Sequence, residues 1–196
     1  MALWWLIKRE RMRVLELFSG TGSISKVFRE KGHEVVSLDL DPKSNADIIA
    51  DVLEWDYTCF GRGDFDIVWA SPPCTQYSRA RTFAKTPRDL AGADRVVART
   101  LEILEYFHPY WWFMENPQTG LLKTRDVVQG LPFKDVTYCS YGAPFRKKTR
   151  VWTNCTVWTP RPLCNKKPVL RWWTGDTSSL RSEDRVETKE AATPVS

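Results

Sequence analysis

The run RVLELF at residues 13–18 passes through Ser-Gly-Thr-Gly directly into SISKVFREKG at residues 23–32. In the second stretch Ile24, Val27 and Phe28 recur at helical spacing and Gly32 sits at a stop position. A strand that turns at once into a helix must bury both, and the economical solution is a second strand parallel to the first. The chain supplies it. EVVSLDL (34–40), ADIIADV (46–52), FDIVWAS (65–71) and YWWFMEN (110–116) read as further strands. A long helical pattern runs from Asp89 to Phe107 on Val96, Val97, Leu101, Leu104 and Phe107. LLKTRDVVQGL reads as another helix, and DVTYCSYG with TRVWTNCTVW as a closing strand pair. The alternation predicts an α/β fold with a mostly parallel sheet covered on both faces.

With 196 residues, 42% of them hydrophobic, one domain with an appendage is expected. A net charge of +5 admits an anionic partner such as nucleic acid without requiring one. The ten tryptophans are read mainly as packing, with YWWF in a buried strand. Five cysteines, an odd number without dense spacing, point to a reducing, intracellular compartment rather than to a disulfide scaffold or secretion. Cys155 and Cys164 form no Cys-x-x-Cys pair and His33 and His108 lie far off in sequence, so no metal site is expected. No run approaches the roughly 18 apolar residues of a membrane span. MALWWLIKRE lacks a basic leader and a cleavage site, and reads as a short helix or strand covering an apolar surface. Prolines 160, 162 and 168 mark an irregular basic extension over residues 159–175. Residues 176–196 are polar and charged and are expected to be disordered. Residues 1–158 are left as the catalytic domain.

Ligand chemistry gathers at strand ends. Gly20 and Gly22 permit a tight turn and close backbone approach at a helix amino terminus, as would any ordinary strand-to-helix turn. Asp39 ends the second strand about 20 residues on, where an acidic side chain takes ribose hydroxyls. Asp51 closes the third run on the same edge. Together they read as one adenosine-type site. Cys74 follows Pro72 and Pro73, which stiffen the chain leaving the fourth strand. Held at that rim, its thiol is a candidate nucleophile, the alternative being a structural cysteine. Glu115 ends the fifth strand and is a candidate acid. Arg146, Lys147, Lys148 and Arg150 crowd the approach to the last strand.

These segments resemble the DNA (cytosine-5) methyltransferase family. LELFSGTGS looks like its cofactor motif, ASPPCTQYS like its Pro-Cys motif, and MENP like its Glu-Asn-Val motif with Pro117 in place of valine. YGAPFRKKTRVW looks like its motif of spaced arginines, with Phe145 where glutamine is usual and the basic spacing altered. All four follow the family's order between Arg13 and Trp152. The resemblance implies a Rossmann-like S-adenosylmethionine-dependent methyltransferase fold, with an antiparallel closing strand and helices on both faces. It implies S-adenosylmethionine as cofactor, bordered by Phe18, Ser19, Gly20, Thr21, Gly22, Ser23, Asp39, Leu40, Asp51, Val52 and Pro72. Asp39 would take the ribose, Leu40 the adenine face and Asp51 the adenine amino group. Cys74 would attack C6 of a flipped cytosine in DNA, and Glu115 would contact N3 and the exocyclic amine. Arg150, supported by Lys148, would face O2. Ser78, Arg79, Arg81, Arg146 and Lys147 would touch nucleic acid, with RARTFAKTPR as a mobile lid.

Family members usually carry a target-recognition domain of ~100 residues after the arginine motif. Neither room for it nor the family's closing Asn-containing motif is visible, so a short form of viral or phage type is expected. Specificity would then be short or absent, or come from the basic tail, a protein partner or an oligomer. RNA as substrate, exocyclic-amine methylation and a catalytically silent nucleic-acid-binding relative stay open on these residues.

Overall fold

A computed structural model describes residues 11–165; MALWWLIKRE, the end of the 159–175 extension and the 176–196 tail lie outside the described residues. The strands are β1 (Arg13–Leu17), β2 (Glu34–Asp39), β3 (Ile48–Ile49), β4 (Ile67–Ala70), β5 (Trp111–Pro117), β6 (Phe133–Thr137) and β7 (Lys148–Thr153). They form one sheet in the order β3-β2-β1-β4-β5-β7-β6. β1 to β5 run parallel, and β7 slots antiparallel between β5 and β6. The sequence expectation of a mostly parallel sheet with an antiparallel closing pair describes this arrangement. Several elements depart from the pattern: DVTYCSYG is strand only to Thr137 before a 3-10 turn (Tyr138–Tyr141), and TRVWTNCTVW is strand only to Thr153. ADIIADV keeps only Ile48–Ile49 as strand, at the sheet edge, and LLKTRDVVQGL forms two 3-10 turns rather than a helix.

Helix α1 (Ser23–Glu30) starts at Gly22, in the left-handed region at φ +67. Its amino terminus is satisfied from the sheet: the buried Glu16 carboxylate accepts from the Ser25 backbone N–H at 2.9 Å and from the Ser25 hydroxyl. A carboxylate buried there is stabilised by the helix's positive end. Helix α2 (Leu90–Phe107) is capped by Asp89, which accepts from the Gly92 N–H at 2.7 Å. A Cβ on Gly92 would lie 2.1 Å from the Asp89 carboxylate, so this first-turn glycine is required by the cap.

Alternation along the strands sorts the two faces. Leu15, Leu17, Val68, Ala70, Met114 and Trp152 join Val97, Ile103, Leu104 and Phe107 of α2 in the main core. On the other face Trp69, Trp111, Phe113 and Val151, with Ile24 and Phe28 of α1, line an apolar cavity of about 700 Å³. The YWWF run is therefore only partly buried.

Asp94 of α2 ties the helix to the loops that follow β4 and β5. It accepts from the hydroxyl of Tyr77 at 2.9 Å and from Arg125 at 2.9 and 2.6 Å. Burial works to raise the Asp94 pKa, but the hydrogen bonds from Arg125 and Tyr77 and the guanidinium charge hold it below the usual carboxylate range. A depressed carboxylate contributes stability above its unfolded pKa and loses it as pH falls through the folded value. Asp94→Ala should cost about 2 kcal/mol at neutral pH, because it leaves the fully buried Tyr77 without its acceptor. Urea titration at pH 7 checks this, and the deficit should shrink below about pH 4.

Candidate active site

The carboxyl ends of β1, β2, β4 and β5 meet at one rim. After β1, Phe18 and Gly20 adopt φ of +60 and +52. The Ser19 N–H donates to Leu38 O at 3.0 Å, which pins the turn to β2. The Asp39 carboxylate accepts from the Gly20 N–H at 2.7 Å and the Asp41 N–H at 2.8 Å. Thr21 and Ser23 continue the turn into α1. Leu40 is exposed just beyond Asp39. Asp51 accepts from the Leu53 N–H at 2.9 Å, and Val52 is buried beside it. Asp39 and Asp51 thus stand on the same edge, at the end of β2 and in the segment leaving β3.

The Pro-Pro-Cys segment leaves β4 with Pro72 buried and Cys74 half-buried. Asn116, fully buried beside Glu115, donates through Nδ2 to Pro72 O at 2.9 Å. This bond ties the cysteine segment to β5, and sequence reasoning passed Asn116 over. Its place in the MENP motif was the signal for it. The loop beyond is organised by Arg88, which donates to Gln76 O at 2.7 Å, Ser78 O at 2.8 Å and Thr82 Oγ1 at 2.9 Å. Ser78 caps a 3-10 turn (Arg79–Phe83) that carries Arg79 outward, while Arg81 bonds to Thr86 and Pro87.

The basic cluster divides. Lys147, read from sequence as a nucleic-acid contact, donates to Glu115 Oε1 at 3.1 Å. Tyr138 donates to the same oxygen at 3.5 Å, and Lys147 Nζ lies 4.8 Å from the Tyr138 ring centroid. Burial works to lower the Lys147 pKa, but the Glu115 carboxylate and the Tyr138 hydroxyl outweigh it and hold the ammonium above its ordinary value. Arg150 instead pairs with Asp135 through two bonds of 2.8 and 2.9 Å, its guanidinium 3.5 Å from the Phe133 ring centroid. Arg150 is in register with Asn116, so its side chain leaves β7 on the face opposite Glu115. Lys148 is exposed, and Arg146 is partly buried. Among the described residues no cluster of three or more His, Cys, Asp or Glu is arranged to hold a metal ion. Among the same residues no helix is long and apolar enough to cross a membrane.

Residues 12–129, which include the glycine turn, Cys74 and Glu115, match the C-5 cytosine-specific DNA methylase family. The chain belongs to that family. The methylase match ends before the segment of Lys147, Lys148 and Arg150. A frog virus 3 (isolate Goorha) protein named "Probable DNA (cytosine-5)-methyltransferase" is 36% identical over 169 residues, covering 80% of this chain and 77% of that protein. Two solved structures share the fold. The Entamoeba histolytica methyltransferase EhMeth superposes with a TM-score of 0.59 at 17% identity, over 82% of this chain and 58% of its own. An E. coli prophage-encoded chain assigned as a DNA modification methyltransferase gives 0.55 at 18% identity, over 81% and 52%. This methylase-family chain therefore spans little more than half the length of either solved relative.

Proposed function

We propose that the chain transfers a methyl group from S-adenosylmethionine to C5 of cytosine in DNA, using Cys74 as a covalent nucleophile on a base flipped out of the duplex. The observation that carries this reading is the Asn116–Pro72 hydrogen bond. It couples a proline-mounted cysteine to β5, the strand that carries Glu115.

The turn after β1 fits the cofactor. A Cβ at Gly20 or Gly22 would meet nothing within 4 Å, and the buried Ser19 hydroxyl has no partner. A turn with open space above it and an unspent hydroxyl suits a polar ligand. Asp39 would hold the ribose, Leu40 cover the adenine and Asp51 accept from its amino group, with Phe18, Thr21, Ser23, Val52 and Pro72 as walls. When bound, the cofactor supplies a methyl group on a sulfonium. Asp39→Ala removes both the ribose acceptor and the partner of the Gly20 N–H. Titration calorimetry should show S-adenosylmethionine binding weakened about 10- to 100-fold, the range of a hydrogen bond to a charged group. Unchanged affinity would overturn the pocket assignment.

Unactivated C5 of cytosine is a poor nucleophile. Addition of the Cys74 thiolate forms a sulfur–C6 bond and pushes the C5–C6 π pair onto the ring. A proton held between the Glu115 carboxyl group and N3 neutralises that charge, while Glu115 accepts from the exocyclic amine, and C5 becomes able to take the methyl group. A base removes the C5 proton, the electron pair restores the double bond, and Cys74 leaves as thiolate. Neither side chain reaches a stacked base, so flipping is required, at a cost of a few kcal/mol. The segment 79–88, with Arg79 and Arg81, would close on the displaced nucleotide and its phosphates.

Incubation with methyl-labelled S-adenosylmethionine and DNA should transfer label to C5 of cytosine. DNA containing 5-fluorocytosine should trap a denaturation-resistant adduct, since fluorine cannot leave as a proton does. Cofactor binding without transfer or adduct on any DNA would sink this reading in favour of a silent nucleic-acid-binding relative.

A further inference from the structure

Resting on the roles just given to Cys74 and Glu115, we propose that Lys147, rather than Arg150, supplies the positive charge beside Glu115 at the base. The two residues compete for one role, a cation near the ring edge that Glu115 grips. Geometry separates them. Lys147 Nζ is 3.1 Å from Glu115 Oε1, whereas the Arg150 guanidinium is committed to Asp135 by two hydrogen bonds and lies over Phe133. Strand parity places Arg150 on the far face with Asn116. Lys148, two residues from Arg150, shares its parity and is exposed.

The contacts at Glu115 are asymmetric. Lys147 and Tyr138 both reach Oε1. Oε2 accepts from neither, and the carboxylate is tied by two partners from outside β5. The Glu115 side chain is only 12% exposed, where an unpaired carboxylate would be costly. The ammonium meets that cost in the free enzyme. During addition at C6 it remains as a positive charge beside the ring, where negative charge develops. A lysine is well suited here, because its point charge on a flexible stem can follow the carboxylate as the base enters. Lys147 therefore acts as a positioning residue for Glu115.

The test compares Lys147→Met, Lys147→Arg and Arg150→Met with the unmodified chain, by methyl transfer to DNA and by trapping on 5-fluorocytosine DNA. Lys147→Met should lower kcat about 100-fold with KM for DNA shifted less than about threefold. Lys147→Arg should recover most of the loss. Arg150→Met should lower kcat less than Lys147→Met does, its main effect being a lower melting temperature as Asp135 loses its partner. Near-normal kcat in Lys147→Met, or a larger kcat loss in Arg150→Met, would overturn the assignment while leaving the function reading intact. Absence of transfer and adduct in the unmodified chain would overturn that reading and this assignment together.

Discussion

Cys74→Ala is expected to abolish the covalent adduct on 5-fluorocytosine DNA and to reduce methyl transfer to background. S-adenosylmethionine affinity should stay within about threefold of the unmodified chain. On the proposed mechanism, loss of the thiolate removes addition at C6, the step that raises the electron density at C5. Loss of a nucleophile in a concerted set removes nearly the whole chemical acceleration, on the order of 10⁴-fold or more. The fold should tolerate the change. Cys74 is half-buried in a loop and contributes nothing to the main core, and the loop is held by Asn116 at Pro72 and by Arg88 at Gln76 and Ser78. Denaturing gel mobility shift reads the adduct, and calorimetry reads the cofactor. Transfer surviving in the variant would place the nucleophile elsewhere.

Trp152→Ala should produce the largest loss of stability of any single truncation in the sheet. Trp152 is 2% exposed, is the largest of the fully buried side chains, and lies in register with Met114 of β5 and Phe133 of β6. It fills the core between β5, α2 and the closing pair. Truncation of a buried tryptophan costs about 3–5 kcal/mol through lost transfer energy and the cavity left behind. For a domain of this size that lowers the melting temperature by roughly 10 °C. Thermal denaturation followed by circular dichroism measures it. A shift of only a degree or two would mean that β7 contributes little to the folded state.

Local pattern made much of the fold legible, and the exceptions have physical causes. β1, α1, β2 and α2 were readable because their apolar periodicity is set by neighbours close in sequence. ADIIADV carried enough apolar residues for a longer strand, but at the sheet edge only Leu38 and Asp39 of β2 are in register with it. LLKTRDVVQGL failed as a helix because Arg125 and Gln129 adopt extended backbone, with Arg125 reaching out to Asp94. The placement of Asp39, Cys74 and Glu115 at or near strand ends was legible because each sits at a change of pattern. Lys147 was not. Its partner is 32 residues away, and within RKKTR nothing in the sequence distinguishes it from its basic neighbours. Tyr138 likewise reaches Glu115 across 23 residues. Only the register of β7 on β5 decides which basic side chain turns inward.

That register also sets an order of assembly on the ribosome. β1 to β5 can pair among themselves once residue 117 has emerged, bringing the glycine turn, Asp39, the Pro-Pro-Cys segment and Glu115 into being. β6 does not pair with β5 and must wait for β7, the last strand among the described residues, to insert between them. A nascent chain therefore completes this rim of strand ends before Glu115 receives its ammonium. Any agent that peels β7 away from β5 would reverse only that final step.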